Sequence, residues 1–385
     1  MSSSRSPVSS DRGTDRDVIV VGAGVSGLTA AVLASRGGLD VLVLEGRSRV
    51  GGRLLSEPCE GGWLDLGATW FWSGEDRVEM TLRQLGLSSF EQWVSGDGCY
   101  ETDAGCLRLR GNPIDVPARR YGQGAQRLPQ GLAALLPAGT VRLDEPVTSI
   151  ISTGAGLVVT TATGGDFRAR LAVLALPPAL AVASMEISED LLPARTRRVA
   201  QATPVWMGTV AKLVFRYDEP FWRRDGLAGS AVSTRGPLQE IHDMSGPQGS
   251  PAALFGFAPT EQGAPGYPPV PLGDRAVKQL ERIFGAAAAA PREVLLADWS
   301  RERFTAPPEV HTLTATDLFG HQVYQPTTED RLLWASTETS RRSPGHVEGA
   351  LAAGQRAAEA ALGALLPQSA TNHLDGRGCF WRPRG

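Results

Sequence analysis

Residues 17–45 constrain the fold more than any other stretch of the chain. DVIVV (17–21) is short, apolar and β-branched, the composition of a strand buried on both faces. It runs into GAGVSG, Gly22 to Gly27, then into the helical stretch LTAAVLASRGG, which Gly37 and Gly38 stop, and then into a second strand, LDVLVLE, ending at Glu45. Strand, G-x-G-x-x-G, helix, strand and acid, in that order, are what a dinucleotide-binding βαβ unit needs. Gly22 permits the tight turn, Gly24 lets the backbone approach a pyrophosphate, and Gly27 lets the helix pack closely on the sheet. The helix N-terminus points unpaired N–H groups and a partial positive charge at the phosphates. Glu45 lies eighteen residues beyond Gly27, where a carboxylate accepts from ribose hydroxyls and repels a 2′-phosphate. FAD and NAD both remain open at this point.

A length of 385 residues exceeds what one hydrophobic core usually organises, so two domains are expected. The net charge of −3 is too small to point to nucleic acid or an anionic membrane as partner. Cys59, Cys99, Cys106 and Cys379 show no metal-ligand spacing and read as free thiols. MSSSRSPVSSDRGTDRD, at the N-terminus, has no apolar core and reads as a disordered lead-in, not a secretory signal. No run of eighteen apolar residues occurs, so no transmembrane helix is expected, and a cytoplasmic protein is the plain expectation.

The stretch EGRSRVGGRLLSEPCEGGWLDLGATWFW separates the two nucleotides. Arg47 and Arg53 follow the acid, and Gly51 and Gly52 leave room for an extended pyrophosphate. Here the chain resembles the flavin-containing amine oxidase family, which includes monoamine, polyamine and L-amino acid oxidases. The family pattern of acid, basic residues, Gly-Gly-Arg and Asp-x-Gly-Ala-x-Trp is matched by Glu45, Arg47, Gly51-Gly52-Arg53 and Asp65-x-Gly67-Ala68-x-Trp70. The resemblance implies that Arg47 and Arg53 bind the phosphates of FAD and that Gly67-Ala68-Thr69 passes along the flavin ring. It also implies that the Val147 backbone meets the adenine and that Glu338 contacts the ribityl chain. Val347 would begin a helix under the flavin. Pro307-Pro308 stands where some relatives attach FAD through cysteine, so noncovalent FAD is expected.

The resemblance spans roughly residues 16–366 and implies an α/β fold, a discontinuous Rossmann-like FAD-binding domain with an α+β substrate domain. The FAD domain is expected from 16–77, 124–200 and 301–366, the substrate domain from 78–123 and 201–300, with tails at 1–15 and 367–385. The first substrate-domain insertion is short for the family. Residues 143–181 alternate around Gly-rich turns as a β-meander. RAVKQLERIFG is an amphipathic helix by the spacing of Val277, Leu280 and Phe284. Ala350, Ala353, Gly354, Ala357 and Ala361 form one small face on the C-terminal helix, and Gly27, Ala30, Ala31 and Ala34 form another on the first helix.

Four residues are candidates for chemistry. Lys212 sits in AKLVFRYDEPFW, which echoes the family motif whose lysine bonds a water at flavin N5 and aids reoxidation by oxygen. Trp299 matches a family tryptophan near the flavin, though core packing explains a large aromatic equally well. His346 stands where many amine oxidases carry a tyrosine of an aromatic cage, and Glu309 aligns loosely with the second cage wall. The expected function is oxidation of the C–N bond of an amine or amino acid to an imine, by hydride transfer to flavin N5 with O2 as acceptor. A desaturase or dehydrogenase acting on a C–C bond, and a non-catalytic flavoprotein binding module, are the alternatives.

Overall fold

The structure, a computed structural model, describes residues 16–259, 271–307, 309–327 and 330–367. The expected tail 1–15 and nearly all of 367–385 lie outside the described residues. Arg16–Val21 is the central strand of an eight-stranded sheet. It pairs in parallel with Val41–Leu44 on one side and with Asp166–Leu174 on the other. Leu332–Trp334, from the far end of the chain, pairs in parallel with the last residues of Asp166–Leu174. The meander is present as Val147–Thr153, Gly156–Thr161 and Asp166–Leu174, joined antiparallel.

Strand alternation divides this sheet between two cores. Val18, Val20, Val41 and Val43 face one set of helices, while Ile19, Val21, Leu42 and Leu44 face the other. The first face carries the N-terminal helix Val25–Arg36 and the C-terminal helix Val347–Leu365. Ala30, Ala31 and Ala34 of one helix and Ala353, Ala357 and Ala361 of the other are buried, and these small residues let the two backbones approach closely. The helix Asp76–Gln84 packs on the same core through Val78 and Leu82, so the domain boundary expected at residue 78 falls inside a helix.

A second sheet has seven strands, in the order Glu293–Asp298, Val210–Tyr217, Ala252–Pro259, Glu240–Asp243, Leu227–Ser233, Asp97–Thr102 and Gly105–Leu109. Leu213, Phe215 and Tyr217 face the amphipathic helix Leu272–Phe284. The opposite face carries Val214 and Phe255, which pack against Leu64 and Leu66 from the first domain's side. Lys212 shares that second face by strand alternation, which points it toward the junction of the two sheets. Among the described residues, no helix is long and apolar enough to cross a membrane.

Candidate active site

The two small-faced helices begin at one cavity. Gly24, Val25 and Ser26 of the N-terminal helix and Gly345, His346, Val347 and Ala350 of the C-terminal helix line a cavity of about 460 Å³. That volume lies in the usual range of roughly 300–1,000 Å³ for ligand sites. Each helix start leaves backbone N–H groups without intrahelical partners and brings the positive end of its dipole to the same space.

The glycines divide into two kinds. A Cβ on Gly24 would meet nothing within 4 Å, so the open side of that residue is the cavity itself. Gly22 has φ +105°, a conformation that favours glycine, and a Cβ on Gly27 would lie 2.0 Å from the Gly22 carbonyl oxygen. Gly27 therefore serves helix–turn packing and stands behind the cavity. Gly52, at φ +56°, lines the cavity beside Gly24.

Glu45 is buried, and its carboxylate accepts from Ala23 N–H (2.7 Å) and Arg47 N–H (2.9 Å). These bonds fix it at the rim, where Val147 also lines the cavity. Arg47 donates to Glu302 (3.1 Å) and to Thr305 Oγ1 (2.9 Å), which ties residues near 300 to the nucleotide loop. Arg53 lines the cavity and donates to both carboxylate oxygens of Glu338, at 2.6 and 3.1 Å.

Glu338 departs from the expectation. It is buried and spent on Arg53, and its neighbour Thr337, not Glu338, is on the cavity wall. The reason is electrostatic: a guanidinium in a largely buried site needs a carboxylate, and Glu338 supplies it bidentately.

Lys212 and Trp299 grip one segment. The Lys212 ammonium nitrogen donates to the Gly67 carbonyl oxygen (2.9 Å) and to Thr69 Oγ1, and Trp299 Nε1 donates to the Leu66 carbonyl oxygen (2.9 Å). Both side chains are buried, and the segment they hold presents Ala68 to the cavity while Gly67 and Thr69 turn away from its lining. Burial pushes the Lys212 amine down to about 7; the Asp65 carboxylate works against this and Arg120 adds to it. Its nitrogen lies 4.3 Å from the centre of the Phe255 ring.

The structure does not bring Glu309 to the cavity. It is exposed at the start of a short turn, Val310–Thr312, and stands outside the lining. Val310 turns inward against Val205 and Ala306, and burial of that apolar side chain leaves the adjacent carboxylate to solvent.

His346 does line the cavity, with a partner the sequence reading missed. Its Nδ1 is 2.6 Å from Glu75 Oε1, and its ring lies 4.8 Å from that of Trp72. A run of aromatic rings continues from Trp72 to Trp70, His242 and Phe255. His242 Nδ1 is 2.6 Å from Asp115 Oδ1. Burial lowers the tendency of His242 to hold a proton, and hydrogen bonds to Asp115 and Glu240 outweigh it, raising its pKa. Glu75 and His346 are 271 residues apart, and no local pattern links them. Only the repeated tryptophans of WFW, beside the family motif, mark this wall in the sequence.

Fold and cavity together define an α/β dinucleotide-binding protein whose nucleotide domain is assembled from both ends of the chain. The sequence matches the family described as flavin containing amine oxidoreductase over residues 117–362, and an NAD(P)-binding Rossmann-like domain over residues 20–85. The chain belongs to the flavin-containing amine oxidoreductase family.

It is 25% identical to a probable flavin-containing monoamine oxidase A of Dictyostelium discoideum, over 91% of this chain and 98% of that protein. It is 26% identical to an L-amino acid dehydrogenase of Synechocystis, over 91% and 95% of the two chains. A solved putrescine oxidase bound to putrescine superposes with a TM-score of 0.77 at 22% identity, covering 90% of this chain and 98% of the other, which shows a common fold. The Dictyostelium alignment runs over 454 positions, whereas 91% of this chain is about 350 residues. That relative therefore carries about 100 positions with no counterpart here.

Proposed function

We propose that this chain is a noncovalent FAD-dependent oxidase of amines or amino acids. The observation that carries the reading is the meeting of two helix N-termini on one cavity whose wall residue Ala68 is held between two residues, Gly67 and Thr69, that a buried lysine grips. The residues present fit FAD. Gly24 is open toward the cavity, Gly52 and the first turn of the N-terminal helix offer backbone N–H groups to a pyrophosphate, and Arg47 and Arg53 add positive charge. Glu45 suits the ribose, and Val147 suits the adenine. None of Cys59, Cys99 and Cys106 lines the cavity, which favours noncovalent binding.

FAD held there would supply the redox chemistry, that of a hydride acceptor toward the substrate α-carbon reoxidised by oxygen, with an imine and hydrogen peroxide as the products. The protein's own part is positioning and electrostatics. The N-terminus of the C-terminal helix favours negative charge at the cavity, by roughly 0.3–2 kcal/mol for such placements. Lys212, with a pKa brought near 7, is able to carry or release a proton at working pH, and in the charged form it favours charge build-up on oxygen. His346 and the tryptophan wall lie on the substrate side.

The test is anaerobic mixing of the purified yellow protein with monoamines, diamines and amino acids, watching the flavin absorbance. Bleaching by at least one amine, with peroxide formed on admitting oxygen, is the expected result. Bleaching without peroxide would move the assignment to a dehydrogenase with another acceptor, the activity named for the Synechocystis relative.

A further inference from the structure

We infer that His346, held by Glu75, is the base that takes the proton from the substrate's ammonium group. The inference rests on the reading of this chain as an amine oxidase. An alkylamine is mostly protonated at neutral pH, and an ammonium nitrogen has no lone pair to assist departure of hydride from the α-carbon. Either the neutral fraction alone reacts, or a group in the site accepts that proton.

The geometry singles out one imidazole. Glu75 is buried, with Oε1 at 2.6 Å from His346 Nδ1 and Oε2 accepting from Trp72 N–H at 3.1 Å. A carboxylate facing Nδ1 requires the hydrogen to be there, which leaves Nε2 bare in the neutral ring. Nε2 makes no hydrogen bond to any described residue, the side chain is 43% exposed, and the residue lines the cavity. His346 precedes the C-terminal helix in extended conformation, yet its side chain makes no cap bond to that helix. Its backbone is pinned by its N–H donating to the Ser343 carbonyl and by its own carbonyl accepting from Thr337 Oγ1. A carboxylate, an imidazole fixed through one nitrogen and a free second nitrogen make up the arrangement of a general base.

The other carboxylates near the ring are already paired. Glu348, on the C-terminal helix, accepts from Arg77 of the helix Asp76–Gln84 at 2.9 Å, and Glu338 is engaged by Arg53. Arg341 and Arg342, on the preceding turn, are exposed. The Glu75–His346 pair with a neutral ring carries one negative charge, which attracts a cationic amine.

In the step itself, the substrate N–H bond breaks, its electron pair stays on nitrogen, and the proton forms an N–H bond at Nε2. Glu75 balances the resulting imidazolium, and the half-exposed ring returns the proton to water. No oxidant is consumed. His346 is thus a catalytic residue and Glu75 a positioning residue.

Anaerobic flavin reduction is measured across pH with benzylamine, putrescine and L-leucine for the wild type, His346→Ala and Glu75→Gln. The wild-type rate should show a one-proton acid limb. His346→Ala should lose about 10²-fold at neutral pH, follow only the amine's own ionisation, and regain rate when imidazole is added. Glu75→Gln should keep its FAD and reduce more slowly.

A second readout needs no turnover: ¹⁵N-histidine NMR of the wild type, with tert-butylamine, which has no α-hydrogen. Saturation should shift the His346 Nε2 resonance, as a bare nitrogen does when it accepts a hydrogen bond from the ammonium group. An unchanged acid limb in His346→Ala together with an Nε2 resonance that does not move would overturn the base while leaving amine oxidation intact. A wild-type flavin that no amine bleaches would overturn both.

Discussion

Gly354 of the C-terminal helix lies against Ser26 of the N-terminal helix so closely that a Cβ there would stand 2.3 Å from the Ser26 carbonyl oxygen. That contact is one of those joining the two terminal helices, and Ser26 itself lines the cavity. The clashing atom is backbone and cannot rotate away. Gly354→Ala should therefore lower stability by about 1–3 kcal/mol, as overpacking does, and spread the helix starts. Thermal melting and FAD retention on gel filtration should fall together; a variant that melts lower but keeps its flavin at wild-type affinity would separate helix packing from cofactor binding.

Gly24 and Gly27 belong to one motif and should behave oppositely. A Cβ on Gly24 meets only the cavity, so Gly24→Ala should change apoprotein stability by less than about 1 kcal/mol while weakening FAD binding at least about tenfold, ~1.4 kcal/mol. A Cβ on Gly27 would lie 2.0 Å from the Gly22 carbonyl and 2.9 Å from the Ala175 Cβ. Gly27→Ala should unfold or precipitate the chain. Denaturant titration of the apoproteins, with fluorescence titration of FAD, checks both halves.

Breaking the Arg53–Glu338 pair strands a buried group. Glu338 is 1% exposed and holds both guanidinium nitrogens, so Glu338→Ala should cost about 3–5 kcal/mol. Arg53→Ala leaves a buried carboxylate and should cost a similar amount. The double replacement Arg53→Met/Glu338→Leu should recover most of the stability without recovering FAD affinity. Urea unfolding of the four proteins is a double-mutant cycle that measures the coupling.

Lys212 makes stability depend on pH in a defined direction. Its amine titrates at about 7 in the native protein against 10.5 for an ordinary lysine. Below pH 7 both folded and unfolded chains hold the proton, and the residue adds no slope. Between about 7 and 10.5 the unfolded chain binds a proton the native protein lacks, so this group makes stability rise with pH across that window. Lys212→Met should flatten the rise in apoprotein melting curves. In the holoenzyme the same variant should slow reoxidation by oxygen about tenfold or more, while anaerobic reduction changes little. Stopped-flow measurement of the two half-reactions separates them.

The glycine turn and its acid were legible because they are local. Gly22, Gly24, Gly27 and Glu45 fall within one βαβ unit, where chain geometry alone fixes their relation. Lys212 was visible as a charge on the apolar face of an alternating strand. Glu338 was placed in the right turn, but its partner Arg53 was not seen, because that choice depends on a contact across 285 residues. Glu309 was misplaced for a similar reason: whether it or Val310 points inward is decided by Val205 and Ala306, which lie elsewhere in the chain.

The glycine-turn βαβ unit, the strand alternation and the two small-faced helices each follow from spacing along a few turns or strands, so the order of residues was enough to reveal them. Which acid meets which base follows instead from long-range packing. Glu75 finds His346, and Asp115 finds His242, through pairings between segments brought together by burial of apolar surface, and the polar groups must then satisfy whatever neighbours that packing supplies.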